Sequence, residues 1–270
     1  MDVYGWCHNG YHNLPAREVL RRAHVARLDA LVVKYGDALF EREISTAGMR
    51  WGVERFAFAA QAAHEGNMLA DAVDVGASFA VANCEPNDGG GWGEAGAAPA
   101  IRSLIAAFRN RHSDTPLYVC ADLRSGRSLD APFVREAARG GVNGWMAMVY
   151  PKAFGQGVAA SFDAAYPGRD YLGLPCSPVI QTYDAIGAPM VRAQVDEARR
   201  RGAASLSIYV VETASDDELR AGATAHDNWP PDARVLQATA LAYLRGALAI
   251  LDHGTPAELR GWADLFSGRR

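Results

Sequence analysis

One stretch of the sequence stands out for chemistry. Phe79-Ala-Val-Ala-Asn83-Cys-Glu85-Pro-Asn87 is an apolar, strand-forming run that ends in an amide and a carboxyl group two residues apart. Side chains alternate between the two faces of a strand, so Asn83 and Glu85 share a face. A glutamate at the open end of an otherwise apolar strand is partly dehydrated, and its proton affinity rises toward that of a general acid able to protonate a glycosidic oxygen. The competing expectation is a Glu85 that simply pairs with Lys34 or Arg124 across the same opening.

The elements that must position this run follow from periodicity. Short β-rich runs alternate with segments of helical spacing, the pattern of βα units around a parallel sheet. Eight runs fit, at 3–7, 30–35, 55–60, 79–84, 117–121, 144–150, 178–183 and 205–211. Helical spacing fills 15–27, 67–75, 98–111, 131–139, 158–165 and 190–201, and only 40–52 is poorly defined. The pattern predicts a (β/α)8 TIM barrel over 1–214, in keeping with a chain of 270 residues. The helix after the seventh run closes on Arg199-Arg200-Arg201-Gly202, with bases suited to the helix dipole and a glycine suited to a left-handed cap. Ser215-Asp216-Asp217-Glu218 has the form of a capping box. Residues 215–270 are read as a C-terminal helical extension packed on the barrel, which also offers a surface for self-association or assembly contacts.

In such a barrel the strand ends and the loops after them converge on one mouth. They carry Trp6, His8 and Asn9; Lys34, Tyr35 and Asp37; Gln61 and His64; Asn83, Glu85 and Asn87; Asp122 and Arg124; Tyr150 and Lys152; Gln181, Tyr183 and Asp184; and Glu212. Carboxylates, amides and aromatic rings in this proportion suit a carbohydrate, whose hydroxyls need polar partners and whose ring faces stack on aromatic planes. The expected glycan contacts are Trp6, Lys34, Tyr35, Asn83, Tyr150, Gln181 and Tyr183, with Trp92 carried over the cleft by the glycine-rich loop 89–96. Hydrolysis through two carboxyl groups needs a partner for Glu85. Asp122, on the adjacent strand end, and Glu212, at the end of the eighth run, are the candidates, ahead of Asp184 and Asp37, which suit helix caps.

Other chemistries find less support. A formal net charge of -4 gives no electrostatic reason for nucleic-acid binding. No run reaches membrane-spanning length. The start lacks the basic and apolar regions of a signal peptide, so the expected setting is the cytoplasm or a phage-like particle. Cys7, Cys84, Cys120 and Cys176 form no C-x-x-C pair and are expected as buried thiols. The spacings of His8, His12 and His64 match no zinc signature, so neither a metal nor another cofactor is expected. No G-x-S-x-G elbow occurs. The acids Asp216, Asp217 and Glu218 after the eighth run would repel a phosphosugar.

Several strand ends also resemble a known family. Ala30-Leu-Val-Val-Lys34-Tyr-Gly36-Asp37, Asn83-Cys84-Glu85, Pro116-Leu-Tyr118 and Val179-Ile-Gln181-Thr-Tyr183-Asp184-Ala-Ile-Gly187 are similar to the strand ends of glycoside hydrolase family 25 lysozymes and of related glycoside-hydrolase-like barrels of bacteria and their phages. The resemblance spans roughly 1–214. It implies hydrolysis of a cell-wall, peptidoglycan-type or other polysaccharide, with Glu85 on the glutamate of the family's Asp-x-Glu motif as the acid. The sequence departs from the family at Asn83, which replaces the aspartate of that motif, and at the first strand end, which lacks the family's acid. Those departures imply the alternative of an inactive glycan-binding or structural module, as in a phage particle or related assembly.

Overall fold

Alternation along eight parallel strands sorts their side chains between the barrel axis and the helical shell, and that sorting places the site. In a computed structural model of the chain, described here for residues 2–7, 14–36, 38–86 and 89–226, the strands are β1 (Val3–Cys7), β2 (Ala30–Lys34), β3 (Trp51–Phe56), β4 (Ala80–Asn83), β5 (Leu117–Ala121), β6 (Gly144–Val149), β8 (Leu174–Gln181) and β9 (Leu206–Tyr209). They hydrogen-bond in parallel in the order β6-β5-β4-β3-β2-β1-β9-β8, and a β6–β8 pairing closes the ring. The remaining strand, β7 (Asp170–Tyr171), forms a short antiparallel hairpin with the start of β8. The expected (β/α)8 barrel is therefore the fold of this chain.

The helices follow the strands in turn: α1 (Ala16–Val25), α2 (Ala38–Thr46), α3 (Ala62–Asp74), α4 (Ala97–Arg109), α5 (Pro132–Arg139), α6 (Pro151–Phe154), α7 (Val158–Ala165), α8 (Ala188–Arg200) and α9 (Asp216–Ala223). Helix α2 falls in the stretch that periodicity left undefined. Gly202 adopts the left-handed conformation expected of it, at φ +66°. The Ser215–Glu218 capping box forms, and the Glu218 Oε1 accepts a hydrogen bond of 2.7 Å from the Gly187 N–H, which ties α9 to the loop before α8. Helix α9, read from sequence as the start of the C-terminal extension, packs against α8 and α1 in the barrel shell. The rest of that extension, from residue 227 on, lies outside the described residues.

Two apolar clusters result. The larger lies between strands and helices, where Val33, Val53, Ile101, Leu104, Val119 and Ile180 face the shell. The smaller fills the barrel axis: Tyr4 and Trp6 from β1, Ala30 and Val32 from β2, Phe79 just before β4 and Val81 within it, Cys120 from β5, Met146 and Met148 from β6, and Val179 from β8. At its base Phe79 meets Tyr4 and Tyr118 edge-on, with ring centroids 5.5 and 6.0 Å away. Gly52 makes room for it, because a Cβ there would stand 2.3 Å from a Phe79 ring carbon. All four cysteines are buried, and burial raises the proton affinities of the Cys84, Cys120 and Cys176 thiols. Among the described residues no helix is long and apolar enough to cross a membrane.

Gly52→Ala is expected to force Phe79 off its position and to cost about 1–3 kcal/mol of stability. Urea unfolding measures this, and adding Phe79→Leu to make space should recover part of the loss.

Candidate active site

Continuing the axial parity of each strand by one more step toward the C-terminal end reaches the cleft. The series 30, 32 ends at Lys34, the series 79, 81 at Asn83, the series 146, 148 at Tyr150, and Gly52 leads to Glu54. Trp6 and Tyr209 complete the set from β1 and β9. These residues, with Tyr35, Arg55, Phe56, Phe58, Glu85, Met148, Tyr183 and Asp184, line a cleft of about 870 Å³. A side cavity of about 240 Å³, lined by Glu85, Pro86, Asp122, Arg124, Arg127, Met148, Tyr150 and Phe154, shares Glu85, Met148 and Tyr150 with it.

The order of strands divides the mouth in two. β6, β8, β9 and β1 are consecutive around the ring, and they or the residues just after them supply Tyr150, Tyr183, Tyr209 and Trp6. Tyr150 stacks on Tyr209 with centroids 5.6 Å apart, Tyr183 meets both edge-on, and Trp6 packs edge-on against Tyr209 at 5.7 Å. Burial raises the proton affinity of the three phenols, that of Tyr183 to about 12, so they remain neutral hydrogen-bonding groups. β2 to β5 supply the opposite half, with Lys34, Glu54, Arg55, Asn83, Glu85 and the Asp122–Arg124 pair.

Within the polar half, Asn83 is the junction. Its Nδ2 donates to Glu85 Oε1 at 3.1 Å. Asn83 also holds down the proton affinity of the Glu54 carboxyl group, which lines the same cleft. Asn83 Oδ1 is buried and has no hydrogen-bond partner among the described residues.

Glu54 was not among the residues singled out from sequence. It is 1% exposed, and burial raises its proton affinity from the ordinary 4.5 to about 7. Lys34, which pairs with Glu54 across the β2–β3 register, opposes that rise, as do Asn83 and the charge of Arg55. Arg55 itself is ion-paired to the buried Glu65 and lies over the Tyr35 ring at 5.3 Å. The signal for Glu54 in the sequence is a carboxyl group inside Trp51-Gly-Val-Glu-Arg-Phe56, a run whose start was placed at 55 instead of 51.

Eight of the expected residues line the main cleft together: Trp6, Lys34, Tyr35, Asn83, Glu85, Tyr150, Tyr183 and Asp184. Others need correction. Trp92 is fully buried, packs on Phe133 with centroids 5.4 Å apart, and donates its indole N–H to the Ala57 carbonyl at 2.7 Å. With the Ala59 N–H bonded to the Gly90 carbonyl at 2.7 Å, that part of the glycine-rich loop is latched to the chain after β3 and does not carry a tryptophan over the cleft. Gln181 is also fully buried. Its Oε1 accepts from the N–H groups of Lys152 and Ala153 at the start of α6, so this amide satisfies backbone donors instead of a sugar.

The expected partners of Glu85 are placed differently from one another. Asp122 shares the side cavity with Glu85, but both of its oxygens are held by Arg124, at 2.8 and 2.6 Å. The Arg124 guanidinium lies 3.7 Å over the Phe154 ring. Glu212 is 5% exposed and does not line the cleft, and Arg22 gathers the carbonyls of Val211, Glu212 and Ala214 beneath it. Gln61 and His64 are exposed where α3 begins and line neither cavity. His8, Asn9, His12, Asp37 and Asn87 lie outside the described residues. Among the described residues, no group of three or more His, Cys, Asp or Glu side chains is arranged to hold a metal.

No protein-family model matches this chain, and no curated protein matches it in sequence. Its fold is similar to that of a chitinase from Chromobacterium violaceum ATCC 12472, with a TM-score of 0.57, 11% identity, and coverage of 84% of this chain and 99% of that one. A GH2 beta-galacturonidase from Eisenbergiella tayi, bound to galacturonate, gives a TM-score of 0.60 at 10% identity, over 84% of this chain and 51% of that one. A Schiff-base-forming fructose-1,6-bisphosphate aldolase gives 0.52 at 14% identity, over 85% and 94%. At such identities the likeness is one of fold, a barrel that hosts more than one chemistry.

Burial of Glu54 has a consequence for stability. A carboxyl group with a raised folded-state proton affinity contributes stability that is full below about pH 4.5 and is lost as pH rises through about 7, because over that window the folded state holds the proton more tightly. Glu54→Gln, neutral at every pH, is expected to escape that loss and to exceed the parent protein by ~3 kcal/mol above pH 8. Urea unfolding between pH 4 and pH 9 checks it, and parallel curves for the two proteins would contradict it.

Proposed function

We propose that this chain is a glycoside hydrolase-like barrel that cleaves a cell-wall polysaccharide of the β-linked amino-sugar type, peptidoglycan included, with Glu85 as the general acid. The observation that carries the reading is the position of Glu85. It is half-buried, it receives a hydrogen bond from Asn83, and it stands where the main cleft and the side cavity meet, so a bond laid across that junction passes over its carboxyl group. The aromatic half of the mouth offers ring faces and phenolic hydroxyls, which suit the apolar faces and hydroxyl edges of pyranose rings. The strand-end resemblance to family 25 lysozymes favours an amino-sugar polymer, and a chitinase is among the proteins that share the fold.

In the mechanism, Glu85 in its protonated form gives its proton to the glycosidic oxygen as the bond to the anomeric carbon breaks. Water then adds to the anomeric carbon, and the proton it releases passes to the Glu85 carboxylate, which restores the acid. Lys34 and Tyr35 orient hydroxyls on the far side of the cleft.

A second reading, a barrel that binds glycan without turnover, is favoured by one specific observation. Neither carboxyl group expected to partner Glu85 is available: Asp122 is tied to Arg124, and Glu212 does not line the cleft.

Glu85→Gln is expected to lower kcat/KM on peptidoglycan or a chitooligosaccharide by roughly 10²–10⁴ while leaving glycan affinity within a few-fold. Reducing-sugar release and calorimetric binding measure the two quantities. Full activity in Glu85→Gln would remove the hydrolase reading, and tight binding with no turnover in the parent protein would establish the second one. Tyr150→Ala should weaken binding in either case, by about tenfold.

A further inference from the structure

The glycine-rich loop presses against the chain that leaves β3. At Gly90 the approach is so close that a Cβ would stand 2.9 Å from the Glu85 carbonyl oxygen and 3.3 Å from that of Ala57. Hydrogen bonds clamp the turn beside it. The Ala57 N–H donates to the Asn83 carbonyl at 2.9 Å, the Trp92 indole to the Ala57 carbonyl at 2.7 Å, and the Ala59 N–H to the Gly90 carbonyl at 2.7 Å. Between Ala57 and Ala59 sits Phe58, whose own carbonyl accepts from the Gln61 N–H at 3.0 Å. Phe58 is 40% exposed, lines the main cleft and meets Phe56 edge-on, with ring centroids 5.4 Å apart. An apolar ring in water is unfavourable, and this one is held where it cannot fold away with its backbone.

In the closed order β6-β5-β4-β3-β2-β1-β9-β8, β3 and β8 are four places apart in a ring of eight, so they face each other across the barrel. Phe58, two residues past β3, and Tyr183, two residues past β8, therefore stand on opposite rims of one cleft. We propose that Phe58 is an outer stacking platform for one pyranose ring of a glycan chain that crosses the mouth from the tyrosine wall, and that the glycine-rich loop is the latch that presents it. The proposal deepens the glycan reading and rests on it. The tyrosines offer hydroxyls as well as ring faces, whereas Phe58 offers a face alone, so it serves a ring brought to it by the rest of the chain. The ligand class this assigns is a linear oligosaccharide long enough to reach both rims.

The test is calorimetric binding of β-linked N-acetylglucosamine oligomers, from the dimer to the hexamer, in a Glu85→Gln background that stops turnover during the measurement. Affinity should rise with chain length. Phe58→Ala should lose the gain made by the longer oligomers, about tenfold for the hexamer, with the dimer within about twofold, and Phe58→Trp should keep it. Tyr150→Ala, in contrast, should weaken every length alike. A Phe58→Ala loss that is equal at all lengths, or absent at all of them, would overturn the platform.

The latch has its own variant. Trp92→Phe keeps a ring in the shell but removes the bond to the Ala57 carbonyl, and it should reproduce part of the Phe58→Ala loss on the long oligomers alone. A Trp92→Phe series identical to that of the unaltered loop would overturn the role given to the loop. Failure of the proposal and failure of the glycan reading are distinguishable. A protein that binds dimer and hexamer equally well keeps the glycan reading and loses the platform, and one that binds no oligomer loses both.

Discussion

The polar half of the mouth is organised around the burial of one carboxyl group. Taking Glu54 out of water disfavours its charged form, and the groups nearest to it, Lys34, Asn83 and Arg55, each act in the opposite direction. None of these is placed by chance contact. Lys34 is set beside Glu54 by the β2–β3 register, and Asn83 pairs with Phe56 in the β3–β4 register, two residues beyond Glu54 along β3. The stagger of neighbouring strands in a closed barrel thus brings three polar side chains from three strands to one level, while the axis below them stays apolar. Sliding any of these strands by one residue would exchange its axial and shell faces and send its polar end group into the helices.

The opposite half depends on the same register but on different chemistry. Four consecutive positions of the ring supply Trp6, Tyr150, Tyr183 and Tyr209, whose rings brace each other through edge-on and stacked contacts and so hold a wall without help from the loops. A rigid aromatic wall facing a polar wall is a geometry that discriminates between the two kinds of surface on a pyranose. Loops could vary widely around such a mouth without disturbing either wall, since both are set by strand ends.

Most of this was legible in the sequence because strand alternation is a local property. β1 and β5 fall where the residues place them, and the cleft residues Trp6, Lys34, Asn83 and Tyr150 are one step of parity beyond apolar axial positions. Glu54 was missed because Trp51-Gly-Val-Glu-Arg-Phe56 mixes a glycine and two charges into a strand, which weakens the β signal and moves the apparent start past Glu54. Trp92 and Gln181 failed for a different reason. A glycine-rich loop has no local feature that says where its tryptophan docks, and a strand-end amide looks the same in sequence whether it faces a ligand or satisfies the backbone of a following helix, as Gln181 does for α6. Those outcomes are decided by tertiary contacts between residues about 30 positions apart.

Asn83 takes on a different meaning once Glu54 is recognised. Set against a family whose fourth strand ends Asp-x-Glu, an amide at this position reads as the loss of an acid. Beside Glu54 it reads otherwise. An aspartate at 83 would add a third carboxyl group to a cleft already lined by Glu54 and Glu85, and like charges crowded together resist ionising. An amide in the same place can donate to both of its neighbours. On this reading an amide at 83 lets Glu54 and Glu85 line one cleft without a further charge beside them.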